Sequence, residues 1–160
     1  MSDLVEFEVE RAGGRALLSG VAVPFPRGGL QANAAAEAIL VEEVLAGIGD
    51  RQPVLDLFAG LGTFTFALAA TGAVHAVEGD ERATAALAGV AAGHSGITVE
   101  RRDLARNPLP PETLADYAAA VFDRPRAGAA RQAEALAASR IPTVVAVSCN
   151  PASFARDAAG

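Results

Sequence analysis

The sequence predicts an α/β fold built on an open, mostly parallel, doubly wound sheet with a short N-terminal β-hairpin. Three observations carry that expectation. From Pro53 onward, five short apolar runs alternate with alanine-rich stretches of helical pattern, the order that a sheet with helical crossovers produces. The runs are apolar at most positions and show no sustained alternation with polar residues, as expected of strands covered on both faces. The chain has 160 residues and a single Cys; that length can bury about two thirds of the unfolded surface, so a core holds the fold without an internal disulfide.

Taken in order, Leu4-Val5-Glu6-Phe7-Glu8-Val9-Glu10 and Ala16-Leu17-Leu18-Ser19-Gly20-Val21-Ala22-Val23 are strand-like pieces joined through Ala12-Gly13-Gly14, a hairpin signal. They define an N-terminal segment over residues 1–24. Pro24, Pro26, Gly28 and Gly29 punctuate a loop. Asn33 can then cap a helix whose apolar positions Ile39-Leu40, Val44-Leu45 and Ile48 recur at helical spacing before Gly49 ends it. The apolar runs 54–58, 74–77, 97–99, 118–122 and 143–147 predict strands. Residues 63–70, 81–92, 112–116 and 129–139 predict helices. In such a sheet the ligand lies beyond the carboxyl ends of the strands, so the residues that follow each run are the candidates for function.

Composition narrows the classes. There are 13 basic residues, all Arg, against 19 acids, a net charge of -6 and a pI near 4.9. Affinity for nucleic acid scales with the phosphates neutralised, so this balance argues against a free-standing nucleic-acid binder. The hydrophobic share of 51% is inflated by alanine. Residues 1–10 carry four acids and no apolar run, unlike a secretory signal, and no stretch of about eighteen apolar residues without charge occurs. A cytoplasmic protein is expected.

The first run, Val54-Leu55-Asp56-Leu57-Phe58, opens into Ala59-Gly60-Leu61-Gly62-Thr63-Phe64 directly before a helix. Glycines there permit positive φ and close main-chain approach to a ligand. Gly60-x-Gly62 lacks the third glycine of the dinucleotide fingerprint, and the chain has no Lys for a phosphate loop. A tight turn with no ligand is the bland alternative. Glu78 ends the second run, at a separation suited to ribose hydroxyls; alone it could equally be a solvated strand-end acid. Asp103 follows the third run and Asp123 the fourth. Acids at successive strand ends around a glycine loop suit an adenosine with a free ribose and an amino-acid tail, and S-adenosyl-L-methionine fits that description. Cys149 follows the fifth run and precedes Asn150-Pro151. A lone Cys in a strand is usually a small hydrophobe, but at a carboxyl end its sulfur can face the cleft as a nucleophile. His75 and His94, at a strand start and in a loop, read as solvated side chains. No metal-ligand spacing links them to Cys149.

At these segments the sequence resembles the S-adenosylmethionine-dependent methyltransferases that modify C5 of uracil in RNA. The matching residues are Asp56-Leu57-Phe58-Ala59-Gly60-Leu61-Gly62-Thr63-Phe64, Val77-Glu78-Gly79, 123–128, and Ser148-Cys149-Asn150-Pro151-Ala152-Ser153-Phe154-Ala155-Arg156-Asp157, with 25–33 resembling the entry to the first helix. The resemblance implies the class I methyltransferase, Rossmann-like sheet over 25–160, with its five strands in the order 3-2-1-4-5. It implies that Gln31, Phe58, Thr63, Glu78, Asp103 and Asp123 surround the cofactor or target base, that Gly60 and Gly62 admit the methionine end, and that Cys149 is the nucleophile. It implies a uridine of tRNA or rRNA as substrate. Asp123-Arg124-Pro125-Arg126 departs from the family's usual Asp-Pro-Pro-Arg. The family's proton-abstracting Glu and the last two strands of its sheet fall beyond the Ser-Cys-Asn-Pro motif. The expectation is therefore a C-terminally incomplete domain that keeps the pocket and Cys149, with impaired turnover and only weak RNA binding. Its fifth strand would have an unpaired edge that invites self-association. Rival readings are a methyltransferase for another substrate with Cys149 structural, and a binding module without catalysis. A nicotinamide-dependent dehydrogenase is disfavoured by the missing glycine.

Overall fold

The computed structural model describes residues 3–11, 14–22, 30–123 and 129–147, with side chains over 38–122 and 129–147. The chain order is β1 (Asp3–Arg11), β2 (Gly14–Ala22), α1 (Leu30–Ile48), β3 (Val54–Leu57), α2 (Thr63–Ala69), β4 (Val74–Glu78), α3 (Glu81–Ala91), β5 (Ile97–Arg101), α4 (Pro111–Leu114), β6 (Ala119–Asp123), α5 (Ala130–Ala138) and β7 (Thr143–Val147). Among the described residues no helix is long and apolar enough to cross a membrane.

All seven strands form one sheet in the order β1-β2-β7-β6-β3-β4-β5. The five strands of the α/β part follow the expected 3-2-1-4-5 order and pair in parallel. One expectation is overturned. The hairpin β1–β2 lies along β7, with β2 parallel to it in the register Leu17↔Thr143 through Val21↔Val147. The fifth parallel strand therefore has no open edge, and self-association through that edge loses its basis. The edges of the sheet are instead β1 and β5.

Alternation along the strands sends side chains to opposite faces. Val54, Val74, Ala119, Val121, Val145 and Val147 meet Val44 and Ile48 of α1 and Phe64 and Leu68 of α2 on one face. Leu87 of α3 joins that side against Ala76. On the other face Leu55, Leu57, Val77, Ala120, Phe122, Val144 and Ala146 pack under Leu114 of α4 and Ala135 and Leu136 of α5. This two-sided cover makes β3, β6 and β7 apolar apart from Asp56, the terminal Asp123 and Thr143, whereas the edge strand β5 leaves Thr98 and Arg101 exposed.

Local sequence explains most element ends. Gly49 takes φ 61 after α1, the left-handed stop that glycine adopts without strain, and its N–H reaches the Leu45 carbonyl at 2.9 Å. Asp80 caps α3 by accepting from the Ala83 N–H at 2.8 Å. Pro occupies the first turn of α4, where no N–H is needed. At the start of α1 the expectation fails: the helix begins at Leu30, so Asn33 lies inside the helix and not at its N-cap position. Gln31, Ala32 and the alanines after Asn33 are good helix formers, enough to carry the helix upstream of the first polar cap.

Candidate functional site

The strand order reverses between β3 and β6. Chain progress from β3 runs outward to β4 and β5, and then crosses to β6 and β7 on the other side. A crevice opens at such a switch point beyond the carboxyl ends of the strands, and Phe58, Gly60, Gly62, Glu78 and Asp103 lie at those ends. The chain leaves β3 through Phe58 at φ 59, Gly60 at φ 60 and Gly62 at φ 92. Three left-handed residues within five reverse the backbone tightly enough to start α2 at Thr63. Positive φ at a bulky Phe costs roughly 1–2 kcal/mol, strain of the kind that clusters at functional turns.

The two glycines differ in what surrounds them. A side chain at Gly60 would meet nothing within 4 Å, so the loop faces open space there. A Cβ at Gly62 would lie 2.6 Å from both Leu87 Cδ1 and Phe66 Cε2. Gly62 is thus required by its φ and by packing against α2 and α3.

A line of contacts runs along the strand tips. The Phe58 and Phe122 rings, from β3 and β6, meet edge to face with centroids 5.8 Å apart. Gly60 N–H donates to Glu78 Oε1 at 3.0 Å, and Asp80 N–H donates to Glu78 Oε2 at 2.8 Å. The half-buried Glu78 is therefore no free surface acid. It fastens the glycine loop to the β4–α3 turn, and each oxygen keeps accepting capacity. At Gly79 a Cβ would come within 3.2 Å of the Arg102 carbonyl oxygen and of Asp103 Cα, which brings the β5 exit against the β4 turn. Asp103 Oδ1 accepts from Ala105 N–H at 3.1 Å, and Oδ2 lies 3.7 Å from Arg106 Nε.

Phe58, Gly60, Glu78 and Asp103 are thus joined through neighbouring contacts, with Thr63 exposed at the end of the same loop. Gln31 is in the first turn of α1. Asp123 is the last residue of β6, level with Val147; like that of Gln31, its side chain falls outside the described ones. Cys149 and its motif, and 124–128, lie outside the described residues.

Three features escaped the sequence reading. Phe122 completes the aromatic contact, signalled only by its place as the last apolar residue before Asp123. The buried Thr65 hydroxyl donates to Asp56 Oδ2 at 2.6 Å, which ties α2 to the strand below the loop; a hydroxyl in a first helical turn facing a strand acid is a weak signal. His75 is not merely solvated. The β4–β5 register sets it opposite Thr98, so Nδ1 lies 2.6 Å from Thr98 Oγ1 and Nε2 lies 2.9 Å from Glu100 Oε2. Arg102 Nε donates to Glu100 Oε1 at 2.7 Å. Burial pushes the Glu100 carboxyl up, but the hydrogen bonds from His75 and Arg102 outweigh it and hold it below its ordinary value. Tyr117, stacked on His75 at 6.2 Å, has its hydroxyl pushed up by burial and then by the charges of Glu100 and Asp116.

The sheet order, the helices on both faces and the glycine turn at the switch point define a class I methyltransferase, Rossmann-like fold. The chain is similar in sequence to proteins named RNA methyltransferases. It is 52% identical over 143 residues to an uncharacterized RNA methyltransferase of Brucella suis biovar 1, covering 87% of this chain and 34% of that protein. It is 41% identical over 135 residues to the 23S rRNA (uracil(1939)-C(5))-methyltransferase of Chromohalobacter salexigens, covering 81% of this chain and 28% of the relative. Among solved structures, the tRNA (uracil-54, C5)-methyltransferase of Pyrococcus abyssi in complex with S-adenosyl-L-homocysteine matches with a TM-score of 0.66 and 26% identity, over 88% of this chain and 34% of that one. No family model matches the chain. The chain spans about a third of the length of the curated relatives it matches.

Proposed function

We propose that this chain is the methyl-donor part of an RNA uracil-C5 methyltransferase, binding S-adenosyl-L-methionine at the carboxyl ends of β3, β4, β5 and β6. The observation that carries the reading is the open space at Gly60 beside a Glu78 carboxylate already held by two main-chain N–H groups. A methionine tail fits the first, and ribose hydroxyls fit the lone pairs that Glu78 retains. Phe58 walls the adenosine side, and Thr63, Asp103, Asp123 and Gln31 complete the polar surroundings, with Gly62 shaping the loop. When bound, the cofactor supplies an electrophilic methyl group.

Cys149 acts on the substrate. C5 of uracil is a weak carbon nucleophile; addition of a thiolate at C6 turns it into an enolate that takes the methyl group. A base then removes the C5 proton and the thiolate departs, restoring the ring. A free thiol titrates near about 8.5, so the assembled site must favour the thiolate. The substrate is a uridine in tRNA or rRNA, and the setting is cytoplasmic.

Calorimetric titration with S-adenosyl-L-homocysteine tests the first half. The chain binds it, and Glu78→Ala weakens binding by about tenfold or more, the equivalent of one hydrogen bond to a charged group. The second half is tested with RNA carrying 5-fluorouridine, which has no proton to remove and traps the adduct: the covalent complex forms with the parent and disappears in Cys149→Ala. Absence of homocysteine-cofactor binding, or an adduct that survives Cys149→Ala, would overturn the reading.

A further inference from the structure

The chain carries a net charge of -6, yet residues 101–106 hold three arginines against one acid. That segment leaves β5 at the carboxyl edge of the sheet, beside the candidate cleft, and runs on toward α4. The first turn of α5, which also starts at the carboxyl edge, is fastened to it. Arg131 Nη1 donates to the Arg106 carbonyl at 2.8 Å. One residue on, buried Gln132 clasps Leu109 from both sides, accepting from its N–H at 2.8 Å and donating to its carbonyl at 3.2 Å. The β5–α4 loop and the start of α5 therefore form one rim with fixed spacing.

On that rim the Arg106 side chain is 90% exposed, and its ion pair among the described residues is the 3.7 Å approach to Asp103, itself 57% exposed. Arg131 is exposed as well, and its Nη1 bond to a carbonyl leaves the charge without an acid partner among the described residues. A guanidinium has five N–H donors in a fork that matches phosphate, so both keep most of their donors for a ligand. Arg101, 57% exposed, sits at the same exit with Glu81 at 3.7 Å.

We infer that Arg106 and Arg131 form a phosphate-gripping rim that holds the RNA backbone beside the cleft, a role that rests on the RNA-methyltransferase reading above. Positive charge concentrated on one rim of an acidic domain draws a polyanion to that rim and away from the rest of the surface. A single-stranded or looped RNA is the occupant the surface fits, because such contacts position the strand while leaving its bases free to enter a pocket.

The test is the affinity of the chain for a short uridine-containing single-stranded RNA, followed by fluorescence anisotropy across a salt series. Arg140→Ala serves as the control: Arg140 is exposed and lies beyond the far end of α5, on the amino edge of the sheet. Arg106→Glu and Arg131→Ala each weaken binding several-fold at low salt, and the pair flattens the slope of log affinity against log salt by about 1.4, at about 0.7 per phosphate released. Arg140→Ala leaves both unchanged. Because Arg106 is almost fully solvated, Arg106→Glu melts at the parent temperature, which separates lost binding from lost folding. Failure of the parent to bind the RNA at low salt, or equal losses in all three variants, would overturn the rim. Binding of S-adenosyl-L-homocysteine by the parent, measured alongside, reports on the cofactor reading separately.

Discussion

Replacing Gly62 by Ala changes one methyl group, and its cost divides into two parts. The backbone there has φ +92, a region that costs an L-residue about 1–2 kcal/mol. The new Cβ would sit 2.6 Å from Leu87 Cδ1 and 2.6 Å from Phe66 Cε2. Leu87 is 1% exposed and has nowhere to retreat, while half-buried Phe66 can swing outward, so repacking adds about 1–3 kcal/mol. The total is about 2–5 kcal/mol, or a fall in Tm of about 4–20 °C for a domain of this size. Gly60→Ala is the internal reference: its φ is +60 and its Cβ meets nothing, so only the backbone cost of about 1–2 kcal/mol applies. Urea unfolding followed by circular dichroism measures both. Equal destabilisation by the two variants, or a Gly62→Ala chain within about 0.5 kcal/mol of the parent, would refute the claim that packing against α2 and α3 dictates Gly62.

Thr65→Val removes the 2.6 Å hydrogen bond to the fully buried Asp56 without changing shape, and is expected to cost about 1–3 kcal/mol in the same unfolding assay. Gln132→Met keeps the volume but strips both bonds to Leu109; it should destabilise by about 2–4 kcal/mol and raise amide exchange at Leu109. Glu100→Gln tests the His75–Glu100–Arg102 file. The Glu100 carboxyl is held below its ordinary value in the fold, so its contribution is complete above the unfolded value of about 4.3 and fades as pH falls through the lower folded value. The variant should melt below the parent at neutral pH, and the gap should close under acid below about pH 4; a gap independent of pH would sink this account.

The parallel strands were legible because a strand buried on both faces has to be apolar throughout. The runs at 54–58, 74–77, 118–122 and 143–147 therefore locate β3, β4, β6 and β7 within a residue of their observed ends. The discrepancy at Phe58 comes from its positive φ, which no side-chain pattern signals. The apolar run 97–99 stops two residues short of the end of β5, because an edge strand tolerates Glu100 and Arg101. The glycine loop and Glu78 were legible as candidates, but the hydrogen bond that makes Glu78 a clamp on Gly60 was not, since it joins residues 18 apart on different strands. The same limit hid His75, whose partners come from β5 across the sheet.

Sequence alone determined the element types and the row of strand ends where polar residues and glycines collect, because periodicity and local turn chemistry act over a few residues; the order of the parallel strands was implied only by the family resemblance. Only the tertiary structure decided where the hairpin docks. Its strand pattern is satisfied by any neighbour, and β2 settles on β7 because long-range backbone pairing closes an edge that local sequence cannot see. Tertiary structure likewise assigned Gly62 to packing and Gly60 to open space, a distinction that depends on where Leu87 arrives from α3 and how Phe66 of the adjoining helical turn packs.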